Sequence, residues 1–118
     1  MSNNGQYNKS QRNTLSTLNY QFPACGSELM KALLDDIFGQ VEMRPDWNEE
    51  GKKLRIDVRR EPLLLARYQV YMGKNDDGTP AIILEKVDTV YDPKKATEYS
   101  YEIKRIPIKE HIVRVKPH

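Results

Sequence analysis

Hydrophobic spacing changes period once along this chain, and the change divides it into a helical part and a stranded part. In "SELMKALLDDIFG" apolar residues fall at Leu29, Leu33 and Ile37 and at Met30, Leu34 and Phe38. These are two i, i+4, i+8 rows lying side by side on one helical face. Ser27 suits an N-cap, Glu28 suits the positive end of the helix dipole, and Gly39 suits the residue beyond a C-terminus. The pattern predicts a core-facing amphipathic helix from Glu28 to Phe38.

Beyond Gly39 the period is two. "KLRIDVRR" sets Leu54, Ile56 and Val58 against Arg55, Asp57 and Arg59, and "LLARYQVYMG" sets Leu64, Tyr68, Val70 and Met72 against Arg67, Gln69 and Tyr71. Both read as half-buried antiparallel strands, with Gly51 and Pro62 as punctuation. "GKNDDGTP" is the strongest turn signal, and Asp77-Gly78 predicts a hairpin into "AIILEKVDTVY", whose opening apolar run marks an inner strand. After the turn "DPKKAT", "EYSYEIKRI" places Tyr99, Tyr101 and Ile103 on one face. Pro107 interrupts, and "HIVRV" supplies a last short strand. Trp47, in "RPDWNEEG", reads as a core lid in an acidic turn.

Residues 1–20 are rich in Asn, Ser, Gln and Thr and carry little apolar material, so they read as a disordered polar tail. The prediction is therefore one α+β domain over residues 21–118. It consists of an N-terminal amphipathic helix packed on a five- to six-stranded antiparallel meander sheet, preceded by a flexible tail. At 118 residues the chain can enclose a single core.

Composition narrows the function. Cys25 is the only cysteine, which excludes an intramolecular disulfide, and no apolar run approaches the length of a membrane span. The start of the chain also lacks the short apolar stretch of an export signal. These features predict a cytoplasmic protein without a membrane partner. No phosphate-binding loop, dinucleotide fingerprint, nucleophile elbow or metal-ligand spacing occurs, so no enzyme, cofactor or metal is predicted. The one catalytic hint is Cys25 itself, placed just before a helix N-terminus where the dipole can favour a thiolate. With no second cysteine, and with His111 and His118 as its only imidazole partners, a cysteine-dependent enzyme stands as the remote alternative.

Binding remains. The net charge is only +2, but it is segregated: residues 28–50 hold seven acids against two bases, residues 52–67 six bases against two acids, and residues 104–118 five bases against one acid. Seven tyrosines stand beside two phenylalanines and one tryptophan. Tyr68, Tyr99 and Tyr101 read as core residues with their hydroxyls at the rim, whereas Tyr71 belongs to the outward face with Arg67. The leading expectation is a small non-enzymatic binding or regulatory protein that recognises another protein. The alternative is a nucleic-acid binder with a basic, tyrosine-containing sheet face. Either would draw on Arg55, Arg59, Arg60, Arg67, Tyr71, Lys104, Arg105, Arg114 and Lys116. An open edge strand would also permit a homodimer.

Overall fold

A computed structural model describes residues 7–37 and 39–108. Its first element is a helix, α1 (Lys9–Gln21), inside the segment that the polar composition assigns to a tail. Local hydrogen bonding explains it. The Asn8 side chain accepts from the Gln11 N–H at 2.8 Å, and the Gln11 side chain accepts from the Asn8 N–H at 3.0 Å. The two form a reciprocal capping box. The buried face holds Leu18 with two polar residues, Gln11 and Thr14, and the Thr14 hydroxyl donates to the Ser10 carbonyl. Satisfied polar groups can be buried at little cost, and a hydrophobicity pattern cannot register them.

The helix α2 (Gly26–Asp36) matches the predicted amphipathic segment but starts earlier. Cys25, not Ser27, occupies the N-cap position and makes no side-chain cap. Ile37 is already extended at the other end, Gly39 takes the left-handed conformation at φ +87°, and Phe38 lies outside the described residues.

Five strands follow as an antiparallel meander in sequence order: β1 (Glu42–Asn48), β2 (Lys53–Arg60), β3 (Leu63–Lys74), β4 (Pro80–Tyr91) and β5 (Ala96–Pro107). The first of these is not evident from the sequence, because Pro45 and the surrounding charges mask the alternation of Met43, Pro45 and Trp47. Proline is tolerated here because β1 is an edge strand and, among the described residues, pairs only with β2. The predicted strand "HIVRV" lies outside the described residues.

Both helices cover the same face of the sheet. Leu18, Leu29, Met30 and Leu33 meet Met43, Leu54, Ile56, Val58, Tyr68, Val70, Ile82 and Leu84 in one buried cluster. Trp47 closes its edge, with its ring edge-on to Phe22 at 6.3 Å and its indole N–H donating to Glu49. Four residues of the predicted core face are exposed instead, among them Met72, which lies near the hairpin end of β3 past the last buried position, Val70. A register shift at Val58/Arg59 leaves Leu65 as an extra residue, so Leu64 pairs with Arg59 and turns out to solvent. Tyr99 and Tyr101 stack on each other at 6.2 Å but stay about half exposed, because the β4–β5 hairpin carries them beyond the buried cluster.

Candidate functional site

Among the described residues, none forms a layer over the face of the sheet opposite the helices. Antiparallel register brings residues from all five strands together there in rows, which sequence separation hides. One row runs Asn48, Lys53, Tyr71, Ile83, Arg105, and the next runs Asp46, Arg55, Gln69, Glu85, Glu102. A third runs Arg44, Asp57, Arg67, Val87, Ser100. Ile83 is buried even on this side, flanked by Tyr71 and Arg105, with its Cδ1 lying where a side chain on Gly73 would have to go.

Of the residues singled out in the sequence, Arg55, Arg59, Arg67, Tyr71 and Arg105 share this open face. Lys104 does not. It pairs with Leu84 on the helix side, and its ammonium lies 3.1 Å from Glu28 of α2. Arg60 does not share it either, because the alternation of β2 puts it on the side of Leu54, Ile56 and Val58, where it ends the strand and donates to the Gln40 carbonyl. Arg114 and Lys116 lie outside the described residues.

Most cations on the open face already hold an anion. Arg67 Nε donates to Asp57 at 2.8 Å, with Glu98 4.0 Å away, and Arg105 bonds Glu102 through Nη2 at 2.7 Å and through Nε at 3.0 Å. Arg59 reaches Glu61, which also pairs with Arg44. Arg55 has no hydrogen-bond or ion-pair partner among the described residues.

Glu85 is the hub that sequence reasoning missed. It accepts from Gln69 Nε2 at 2.6 Å and from the Tyr71 hydroxyl at 2.7 Å, a convergence visible only once the strand register is known. Partial burial opposes its charge, but the hydrogen bonds from Gln69, Tyr71 and Ser100 outweigh burial and hold its carboxyl below the usual range. Partial burial, together with the bond to Glu85, pushes Tyr71 up to about 12, so its hydroxyl stays protonated. The Lys53 ammonium sits over the Tyr71 ring at 5.1 Å. The result is an array of both charges with Tyr71 held between Lys53 and Glu85. Beside β1, a depression of about 340 Å³ between Asp46, Trp47, Lys53, Arg55 and Gln69 interrupts it.

The thiol of Cys25 is buried, and burial followed by the charge of Glu28 pushes its pKa up rather than down. Among the described residues, no three of His, Cys, Asp and Glu are placed to hold a metal ion, and no helix is long and apolar enough to cross a membrane.

The fold and face define an α+β protein with two helices on one side of a five-stranded antiparallel meander and, among the described residues, nothing over the other side. Compared with family profiles, with curated proteins and with solved structures, the chain matches none.

Proposed function

We propose that this chain is a small non-enzymatic binding protein whose open sheet face recognises another protein. The observation that carries the reading is the mixed, internally paired charge of that face. Carboxylates and guanidiniums are interleaved and mostly paired within it, so a polyanion would meet Asp46, Asp57, Glu85 and Glu102 among the cations. A protein surface can match both signs and gain specificity from the pattern. The depression beside Arg55 offers room for a side chain of the partner, and Tyr71 offers a rigid aromatic edge. Cys25 is a structural residue of the helix entry, a small buried hydrophobe with a protonated thiol. On the same reading the chain works in the reducing cytoplasm.

The test is site-specific photo-crosslinking in the source cells, with the reactive residue placed at Arg55 or, on the exposed helix side, at Lys31. One protein adduct of defined mass from position 55 and none from position 31 is the expected result. Adducts to nucleic acid, or equal labelling from both positions, would overturn the proposal.

A further inference from the structure

The sheet forks at one end. The β3–β4 ladder stops at Arg67 and Val87, yet β3 stays paired with β2 as far as Leu63, and β4 stays paired with β5 as far as Tyr91. The extra residue at Leu65 bends β3 away and separates the two hairpins. Two strand edges, Leu63–Ala66 and Asp88–Tyr91, therefore face a common gap, and no strand among the described residues pairs with either.

These edges lack the usual guards. The outer edge of β1 carries Pro45 and alternating charges, and that of β5 carries Glu98, Glu102, Lys104 and Pro107. The fork presents Leu63, Leu64, Leu65 and Ala66 against Asp88, Thr89, Val90 and Tyr91, with one charge among eight residues. Of the nine large hydrophobic residues exposed among the described residues, six lie on the two prongs: Leu63, Leu64, Leu65, Val90, Tyr91 and Tyr99. Scattered singly they would need no account, but concentrated at one end they mark an interface. The cleft between the prongs, about 210 Å³, is smaller than a typical small-molecule pocket and suits the side chains of an extended segment.

The chain itself contains such a segment. Residues 111–115, "HIVRV", are apolar apart from His111 and Arg114 and are flanked by Lys109 and Lys116. The cleft lining is acidic in balance, because Asp88 and Glu98 stand there while the lining cation Arg67 is held by Asp57. The segment cannot reach the fork of its own molecule. Ile108 is bonded to the Pro80 carbonyl, at the far end of β4 from the fork. At about 3.3 Å per residue, Asp88–Tyr91 lie roughly 26–36 Å along β4 from Pro80, whereas Val115 reaches about 24 Å beyond Ile108 even when fully extended.

We propose that residues 111–115 of a second copy enter the fork as an added strand, two copies exchanging these segments reciprocally. Backbone bonding to both unguarded edges holds the segment, Ile112 and Val113 cover the leucines and Tyr91, and the flanking cations face Asp88 and Glu98. The cleft adjoins the end of the open face and shares Arg67 and Val87 with it, but neither Arg55 nor Tyr71 lines it, so the oligomeric state tests it apart from the function proposed above.

The test is the solution mass of the full chain at tens of micromolar, by sedimentation equilibrium. A twofold mass is expected, falling to the single-chain mass in Leu64→Asp and also in the double variant Ile112→Asp/Val113→Asp. Leu64 is already 45% exposed, so its variant should fold, and circular dichroism checks this. Mixing the two variants should restore association, because one retains an intact segment and the other an intact fork. A monomeric full chain, association that survives either variant, or a mixture that stays monomeric would overturn the proposal.

Discussion

Tyr68 shows how one residue joins the two layers. It is fully buried beneath α2, and its hydroxyl donates to Asp36, which also receives the Lys86 ammonium at 2.9 Å. Partial burial works against the Asp36 charge, but Tyr68 and Lys86 outweigh it and hold the carboxyl below its ordinary 3.8. The bond to Asp36 in turn raises Lys86 above 10.5. The depressed carboxyl contributes stability that is complete above about pH 4 and is lost as pH falls through its folded value. The raised ammonium contributes below 10.5 and loses its contribution as pH climbs past its folded value. Asp36→Asn should therefore cost about 1–2 kcal/mol, nearly constant from pH 5 to pH 10. The gap from the parent should narrow as pH falls below about 4, and urea midpoints measured down the acid range check it. The sequence shows all three side chains but not their meeting, since Asp36 and Tyr68 are 32 positions apart.

At the scale of elements, α1 depends on two small features. Asn8 caps its N-terminus and also donates through Nδ2 to the Val41 carbonyl at 2.8 Å, tying the helix to the entry of β1. Asn8→Ala should lower stability by about 1–2 kcal/mol, read from chemical denaturation. Gly26, at the start of α2, lies against α1. A Cβ there would come within 2.0 Å of Asn19 Oδ1 and 2.9 Å of the Asn19 backbone nitrogen. Because backbone as well as side chain must shift, Gly26→Ala should destabilise by about 1–3 kcal/mol, and the accompanying amide shifts in NMR should concentrate in α1 and α2. The capping pair Asn8 and Gln11 was legible in the sequence as a start signal. A tail reading overlooks it because the apolar stripe that normally accompanies such a signal is replaced by Gln11 and Thr14.

For the whole molecule, the helices protect one face of the sheet and only part of its length. The Ile56, Tyr68, Val70 and Leu84 region is buried against the helices, whereas the end of the β4–β5 hairpin, among the described residues, pairs only with itself and is exposed. In the monomeric Leu64→Asp variant, amides of β2, β3 and the first half of β4 should exchange slowest. Those of residues 88–99 should exchange fastest among the strands by at least an order of magnitude, as hydrogen exchange followed by mass spectrometry would show. The ion pairs of the open face are partly solvated. Raising salt from low to molar concentration should therefore change the unfolding free energy by less than about 1 kcal/mol. A larger loss would mean that this face stabilises the fold more than surface pairs ordinarily do.

The sequence alone determined the amphipathic face of α2, the alternation in β2 and β3, the Asp77-Gly78 hairpin and the inner position of β4. Each of these follows from the period of apolar residues within a dozen positions, or from turn chemistry at one site. It also placed Arg55, Arg59, Arg67 and Tyr71 on one side, because alternation within a strand assigns a face. Only the tertiary structure decided that Lys104 leaves that face, that Glu85 anchors it, that Leu64 and Tyr99 are exposed, and that the two hairpins part. A bulge of one residue reverses the side on which every later residue falls, and register between strands is set by packing across the sheet. Neither leaves a trace in local spacing.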